Sequence, residues 1–271
     1  NVLFFYIQSN QLTGTIPPEL GQLEQVSFFG LSNNALTGSL PQELSKLANV
    51  ADLYMDANIF TGTVPLYINN FKRLQVLRLQ RNRLSREVSS RLTSLPLLRS
   101  VDFSDNRLSG TIPDEIFELR NLQSVALTFN CFHGELPTTM CNANNVTVIS
   151  MDGLGAASHC RNAVKVPLTG VTLDNTMSGS IPECVLRLPL LQVLHMTGNG
   201  LTGTIADVLP SETAIRSLSL SHNKLSGTIP SSIQGRPFAR LDLSFNKLTG
   251  TYDHRNEFEG DNSSHVLEVN R

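Results

Sequence analysis

The chain has 271 residues, is 40% hydrophobic and carries a formal net charge of −2. No run of lysine or arginine exceeds two residues, which argues against nucleic-acid and anionic-membrane partners because both require concentrated positive charge. The sequence also contains no apolar stretch of about 18 residues, so we expect no membrane span within it.

A repeat of 24 residues runs through the chain, and the segment 97–120, LLRSVDFSDNRLSGTIPDEIFELR, is its most regular copy. The regular copies have an asparagine anchor, apolar residues before it and a motif close to Leu-x-Gly-x-Ile-Pro after it. A fixed period of this length is the signature of a solenoid. We therefore predict a single repeat domain over 1–271, with the anchors Asn10, Asn34, Asn58, Asn82, Asn106, Asn130, Asn175, Asn199, Asn223 and Asn246.

The first three repeats show how one unit folds. In VSFFGLSNN, the apolar alternation predicts a short strand in which Val26, Phe29 and Leu31 point inward. Phe28 and Gly30 then point outward. The asparagine that follows has both a donor and an acceptor, so a buried amide can satisfy backbone groups of adjacent coils. The later glycine permits a positive φ, and the proline opens a helical or irregular return.

The fourth repeat, 73–96, departs from this pattern because Arg86 replaces the glycine and Ser89 replaces the proline. One interpretation is simple sequence drift in one coil. The other is a local change on the lateral face that exposes arginines to a partner, namely Arg81, Arg83 and Arg86.

The middle of the chain, 131–184, is irregular. Leu154 stands where an asparagine is expected, and the next anchor, Asn175, follows after 21 residues. The regular spacing then returns up to Asn246. Neither end carries a polar capping repeat or a signal peptide, so we expect the chain to be an uncapped piece of a longer protein.

All four cysteines, Cys131, Cys141, Cys160 and Cys184, fall within the irregular region. An even, clustered count indicates two disulfides, and three pairings are open. A zinc site is the rival interpretation, but the short Cys-x-x-Cys spacings of structural zinc are missing, so no metal is expected. Free buried thiols are the third alternative. Two glycosylation sequons begin at Asn145 and Asn262.

The motif LxxLxLxxNxLxGxIP resembles the plant-type extracellular subclass of leucine-rich repeats, and the resemblance covers nearly the whole chain. It implies an α/β repeat solenoid, a right-handed superhelix of about 11 coils with a concave parallel sheet and a second short strand beside it. Similar proteins are receptor ectodomains, cell-wall inhibitors and secreted surface proteins. Together with the cysteines and sequons, the resemblance predicts an extracellular or cell-surface location.

On this scaffold the outward strand residues form the concave surface. Exposed aromatic residues on adjacent strands are uncommon unless they meet a partner, and tyrosine and arginine favour interface centres. We therefore expect a ligand-binding surface in the N-terminal half, built from Phe4, Tyr6, Phe28, Asp52, Tyr54, Asp56, Arg78, Arg81, Asp102 and Asp105. The alternative is that Phe4, Tyr6 and Phe28 pack against a missing N-terminal cap.

Catalysis has little support, because the six histidines lie on different coils and no nucleophile or metalloprotease motif is present. No phosphate-binding loop or cofactor motif is present either. We predict a non-enzymatic extracellular recognition module that binds a protein, peptide or glycan through its concave or lateral face. The alternative is a structural building block of a cell wall, surface coat or extracellular filament, which would self-associate.

Overall fold

The computed structural model describes residues 2–155, 160, 177–251 and 266–268. Short parallel strands alternate with turns and 3-10 helices. The strands in chain order are β1 (Phe4–Tyr6), β2 (Thr13–Thr15), β3 (Phe28–Gly30), β4 (Ala35–Gly38), β5 (Asp52–Tyr54), β6 (Ile59–Phe60), β7 (Val76–Arg78), β8 (Ser85–Glu87), β9 (Ser100–Asp102), β10 (Arg107–Gly110), β11 (Ser124–Ala126), β12 (Cys131–Phe132), β13 (Gly134–Glu135), β14 (Val148–Ser150), β15 (Met177–Ser178), β16 (Val193–His195), β17 (Ser217–Ser219), β18 (Ser226–Thr228), β19 (Arg240–Asp242), β20 (Lys247–Thr249) and β21 (Val266–Glu268). The 3-10 helices are Pro18–Gln22, Gln42–Lys46, Leu66–Asn70, Ser90–Ser94, Asp114–Glu118, Thr138–Asn142 and Glu183–Arg187.

One long parallel sheet contains the first strand of every coil, in the order β1-β3-β5-β7-β9-β11-β14-β16-β17-β19-β21. Its register follows the repeat, since Phe5 pairs with Phe29 and Phe29 pairs with Leu53. The middle residue of these strands points into the core, and Phe29 and Leu77 are completely buried. The predicted leucine-rich-repeat solenoid is confirmed. We call the outward side of this sheet the concave face.

A second series of short strands lies beside the main sheet and forms what we call the lateral face. These strands pair in small parallel sheets, β2-β4-β6, β8-β10-β12, β13-β15 and β18-β20. The repeat glycine has a positive φ in or shortly after these strands, for example +84° at Gly62 and +83° at Gly110. Glycine adopts this conformation without a steric cost. Arg86 adopts it as well, with φ of 71°, because its coil must follow the same path as its neighbours.

The anchor asparagines join consecutive coils. Oδ1 of Asn58 accepts a 3.1 Å hydrogen bond from the backbone N–H of Leu36, and Nδ2 donates to the carbonyl of Leu31 at 3.1 Å. Both partners belong to the preceding coil. Each amide therefore satisfies backbone groups that the sheet leaves unpaired. Six anchors are buried: Asn58, Asn82, Asn106, Asn130, Asn199 and Asn223.

The burial expected of the anchors does not extend to the ends of the array. Asn10 is exposed, and its Nδ2 bonds only to the carbonyls of Ile7 and Gln8 in its own coil. The reason is that no described coil precedes it. Asn34 and Asn246 are partly buried and keep their bonds to the preceding coil.

The irregular middle region forms one coil with an insertion, where the sequence predicts two coils. Val148 of β14 pairs directly with Val193 of β16, although the two residues are 45 apart in sequence. No other strand of the main sheet therefore lies between β14 and β16. The place in the ladder predicted for Asn175 is taken by Asn199, which bonds to Leu154 and Met151. Asn175 itself lies outside the described residues. Repeat spacing cannot distinguish a short coil from an insertion, because both restore the same frame.

Two disulfides lie at this insertion. Cys131 is bonded to Cys160, and Cys141 is bonded to Cys184. Cys141 and Cys184 belong to the 3-10 helices Thr138–Asn142 and Glu183–Arg187, on coils that are adjacent in space although their cysteines are 43 residues apart in sequence. The pairing that the sequence left open therefore follows from the order of the coils.

The return segments of the described coils are turns and 3-10 helices of five residues each. Their helices start after a proline in six cases out of seven, and a return this short favours the tighter 3-10 geometry over an α-helix. Within the described ranges, no helix is long and apolar enough to cross a membrane.

Candidate recognition surface

An aromatic stripe crosses the first coils of the concave face. It consists of Phe4, Tyr6, Phe28 and Tyr54, and Arg78 extends it. The rings of Phe4 and Tyr6 are stacked with centroids 6.1 Å apart, those of Tyr6 and Phe28 are 4.4 Å apart, and those of Phe28 and Tyr54 are 4.8 Å apart. The guanidinium carbon of Arg78 lies 4.8 Å from the centroid of Tyr54. The stripe is therefore continuous across four strands.

Gly30 explains this continuity. In the sheet register it stands between Tyr6 and Tyr54. A Cβ at this position would clash with Oε1 of Gln8 and would lie 2.7 Å from Cε1 of Phe28, so glycine leaves room for both side chains. The ring covers Gly30 and fills the gap between the two tyrosines. Gly30 is consequently buried, although the strand alternation predicts that it points outward.

The stripe remains open to solvent at its start. Phe4 is 59% exposed and Tyr6 is 55% exposed, whereas Phe28 and Tyr54 are partly buried by their neighbours. Phe5, the residue between Phe4 and Tyr6, stacks instead on Phe29 with a centroid distance of 5.2 Å. Successive residues of β1 thus separate into a core face and a solvent face.

Acidic side chains lie next to the stripe. Burial raises the pKa of Asp52, and the nearby Arg78 opposes this rise. Asp56 accepts a 2.5 Å hydrogen bond from the hydroxyl of Ser32. Asp102 accepts a bond from the backbone N–H of Ser104 at 2.9 Å. These contacts hold the carboxylates against the sheet.

Arg81 and Asp105 do not lie on the strands themselves. Both are exposed and have left-handed backbones, with φ of 55° and 53°. They occupy the position directly before the anchor asparagine, where the chain leaves the sheet. This position is left-handed in most described coils, at Ser9, Asn33, Ala57, Arg81, Asp105, Phe129, His222 and Phe245.

Two exposed aromatic residues at this same position were not predicted from the sequence. Phe129 is 53% exposed and Phe245 is 64% exposed, and the Phe245 ring stacks on His222 at 4.2 Å. The available signal was a phenylalanine directly before an anchor asparagine. They lie at the edge of the concave face in the later coils, away from the aromatic stripe.

The C-terminal half of the concave face has a different chemistry. Nε2 of His195 lies 2.8 Å from the Ser217 hydroxyl, and Ser221 and Ser244 donate to Asp242 at 2.8 and 2.7 Å. Burial favours a raised pKa for Asp242, but the hydrogen bonds from Ser244 and Ser221, with Arg240 nearby, lower it. These polar groups bond mainly to one another, so this half offers fewer free groups to a partner.

The structure describes one of the two glycosylation sequons. Asn145 is exposed, and its Nδ2 donates to the carbonyl of Arg120 at 2.6 Å. Asn262 lies outside the described residues.

Within the described residues, no cluster of three or more His, Cys, Asp or Glu side chains could hold a metal ion.

Comparison with known proteins relates the chain to a family. The Leucine Rich Repeat family model matches residues 1–23, 97–119 and 214–235. A leucine-rich repeat receptor protein kinase, MSL1 of Oryza sativa subsp. japonica, is 35% identical over 74 residues. That alignment covers 27% of this chain and 5% of the kinase.

Three solved plant structures have similar folds. The peptide hormone receptor RGFR1 in complex with RGF2 has a TM-score of 0.74 and 26% identity, over 98% of this chain and 43% of the receptor. A plant ice-binding protein has a TM-score of 0.76 and 26% identity, over 90% and 72% of the two chains. The Arabidopsis receptor kinase HAESA, in complex with the peptide hormone IDA and the co-receptor SERK1, has a TM-score of 0.65 and 25% identity, over 98% and 50%.

The chain thus spans half or less of the length of the receptors it matches. The asparagine-linked coils, the lateral strands and these similarities lead to one conclusion. The chain is a leucine-rich-repeat solenoid that is similar to plant receptor ectodomains.

Proposed function

We propose that residues 1–271 form one extracellular, non-enzymatic recognition domain that binds a peptide or protein on the aromatic stripe of the concave face. The observation that carries this proposal is the unbroken contact from Phe4 to Arg78 across four strands. Large rigid rings provide contact area at a small entropic cost, and tyrosine and arginine are enriched at interface centres.

The position of the stripe argues against a purely structural role. A cap packed on β1 would contact Phe4 and Tyr6, but Tyr54 and Arg78 are two and three strands further along the sheet. Asp52, Asp56 and Asp102 stand beside these later residues and provide acceptors for polar groups of a ligand. The peptide-hormone complexes of RGFR1 and HAESA support a peptide as the partner, because similar scaffolds bind such ligands.

The two disulfides support the proposed extracellular location, since disulfides persist in oxidising compartments. The exposed sequon at Asn145 is compatible with it, because its side chain is at the surface. A glycosylated amide keeps one N–H, which is enough for the bond to the Arg120 carbonyl.

A displayed library of random linear peptides, selected on the purified chain, tests the proposal. Peptides enriched on the wild type should lose at least about tenfold in affinity when Tyr54→Ala and Arg78→Ala are combined. Phe245→Ala is the control, because it removes an exposed ring that lies outside the stripe. Circular dichroism melting curves establish that each variant is folded. The proposed site would be refuted if no enriched peptide bound the double variant more weakly than the wild type.

A further inference from the structure

A groove of about 1190 Å³ crosses the lateral face, separate from the aromatic stripe. Residues of four consecutive coils, between Thr63 and Thr138, line it. Its floor contains the buried side chains of Val88, Ile112 and Leu136, and Leu66 at one end is 63% exposed. We call this feature the lateral groove.

One wall of the lateral groove carries two glutamates in the same register. Glu87 and Glu135 occupy the same repeat position, five residues after the anchors Asn82 and Asn130. Their coils are two apart, which separates them by roughly 10 Å along the groove. The stem of Glu87 lies over Gly110, where a Cβ would be 2.6 Å from its Cγ. The stem of Glu135 lies over Gly179 in the same way, at 3.2 Å. The glycines of the next coils therefore let both side chains lie flat, and both residues are exposed.

The opposite wall adds two more carboxylates. Asp114 and Glu115 begin the 3-10 helix Asp114–Glu118 of the coil between the two glutamates. Arg86 is the only cationic residue that lines the described groove. Four carboxylates and one guanidinium leave a formal net charge of −3 in this groove, more negative than the −2 of the whole chain.

Within the part of the chain that the structure describes, no ion-pair partner neutralises these carboxylates. The ion pair found among the described residues is Arg240–Asp242, on the concave face. The four carboxylates are also too dispersed for a metal ion, since no metal-binding cluster exists in the described parts of the chain. Acceptors spread over two walls suit a ligand that carries several separated cations.

We propose that the lateral groove binds an extended peptide segment rich in lysine and arginine. Four coils at about 4.8 Å spacing give a length of roughly 15 Å, which accommodates four to five extended residues. Successive side chains of an extended peptide point to opposite sides, so its cations reach both acidic walls. An aliphatic residue of the peptide packs on Leu66 at the end of the groove. This site does not depend on the aromatic stripe.

Selection of displayed random peptides tests this second site, with the Tyr54→Ala, Arg78→Ala variant as bait so that the stripe is inactive. Enriched peptides should carry an excess of lysine and arginine. Synthetic copies should bind this bait in isothermal titration calorimetry and lose at least about tenfold in affinity when Glu87→Gln and Glu135→Gln are added. Their affinity should fall as salt is raised.

Two single variants serve as controls in the same background. Glu118→Gln removes one negative charge from the helix Asp114–Glu118, but its side chain does not line the groove. It should change the affinity by less than about twofold. Arg86→Gly removes the cation from the groove and should strengthen binding.

Three results would overturn the lateral-groove proposal. The first is enrichment of peptides without a basic excess. The second is an equal loss of affinity in the Glu118→Gln and Glu87→Gln, Glu135→Gln variants, which would indicate a general charge effect. The third is self-association in analytical ultracentrifugation that disappears in the Glu87→Gln, Glu135→Gln variant, which would make a second copy of the chain the occupant.

Discussion

Leu154 and Asn199 are 45 residues apart, yet the backbone N–H of Leu154 donates a 2.8 Å hydrogen bond to Oδ1 of Asn199. Nδ2 of Asn199 donates to the carbonyl of Met151 at 2.7 Å. In the regular coils the equivalent backbone bond spans 22 residues, as between Leu36 and Asn58. The solenoid therefore continues past the insertion because one amide joins the coils on either side of it.

Replacement of Asn199 by alanine should destabilise the array strongly. The substitution leaves a buried N–H and a buried carbonyl without partners, so we expect the free energy of unfolding to fall by about 2–4 kcal/mol. Urea titration followed by circular dichroism measures the change.

Asn10→Ala is the matched control, because Asn10 is exposed and bonds only within its own coil. We expect a loss below about 1 kcal/mol. Equal losses in the two variants would mean that the contacts between coils contribute no more than the local turn.

The two disulfides should differ in their sensitivity to reduction. Cys131 and Cys160 are 7% and 1% exposed, whereas Cys141 and Cys184 are partly exposed on the return side. Because exchange requires access of a thiolate to sulfur, mild dithiothreitol should open Cys141–Cys184 first. Alkylation followed by peptide mass mapping identifies the order.

Loss of the Cys141–Cys184 bond should also lower stability. It closes a segment of 43 residues, and the chain-entropy relation gives about 4 kcal/mol for a loop of this size. The variant with Cys141→Ser and Cys184→Ser tests this in urea under non-reducing conditions.

Simultaneous reduction of both disulfides at low dithiothreitol would contradict the predicted order, in which Cys141–Cys184 opens first.

Arg86→Gly should stabilise the protein. Arg86 has a φ of 71°, at a position where neighbouring coils have Gly62 and Gly110. Relief of the left-handed strain, offset in part by the larger entropy of glycine in the unfolded chain, should add about 0.5–1 kcal/mol.

Arg83→Gly is the control, since Arg83 is exposed in the same coil and its φ angle is not positive. It should lose about 0.5–1 kcal/mol, because glycine there brings only an entropic penalty. Thermal unfolding of both variants at the same pH compares them. A destabilising Arg86→Gly would mean that other contacts of Arg86 outweigh the strain.

Stability should fall as the pH drops from 7 towards 5, and His195 should be one cause. Burial lowers the pKa of His195 below its ordinary value, and Arg240 lowers it further, against the raising effects of Asp152 and Asp242. The unfolded chain therefore binds the proton at a higher pH than the folded chain. The stability contribution is complete above about pH 6.5 and is lost as the pH falls through the lower, folded pKa.

Urea unfolding at a series of pH values checks this slope. His195→Gln should reduce the slope, because the glutamine side chain does not titrate. An unchanged slope in His195→Gln would contradict the assignment to His195.

The sequence by itself determined the repeat architecture. Alternating apolar residues before each asparagine place Phe29, Leu53 and Leu77 in the core, because a strand sends successive side chains to opposite faces. The 24-residue spacing then predicts the parallel register of the sheet. Local periodicity is sufficient here, since each coil packs only on its neighbours.

Only the tertiary structure decided which coils are neighbours in the irregular region, how the cysteines pair and which side chains form a continuous surface. Spacing alone does not reveal that Val148 meets Val193, or that the Phe28 ring fills the space above Gly30. These relationships depend on contacts between residues far apart in sequence and on side-chain orientation. A repeat pattern specifies the path of the chain within a coil. The effect of an insertion, or of a glycine that makes room for a neighbouring side chain, depends on contacts between coils.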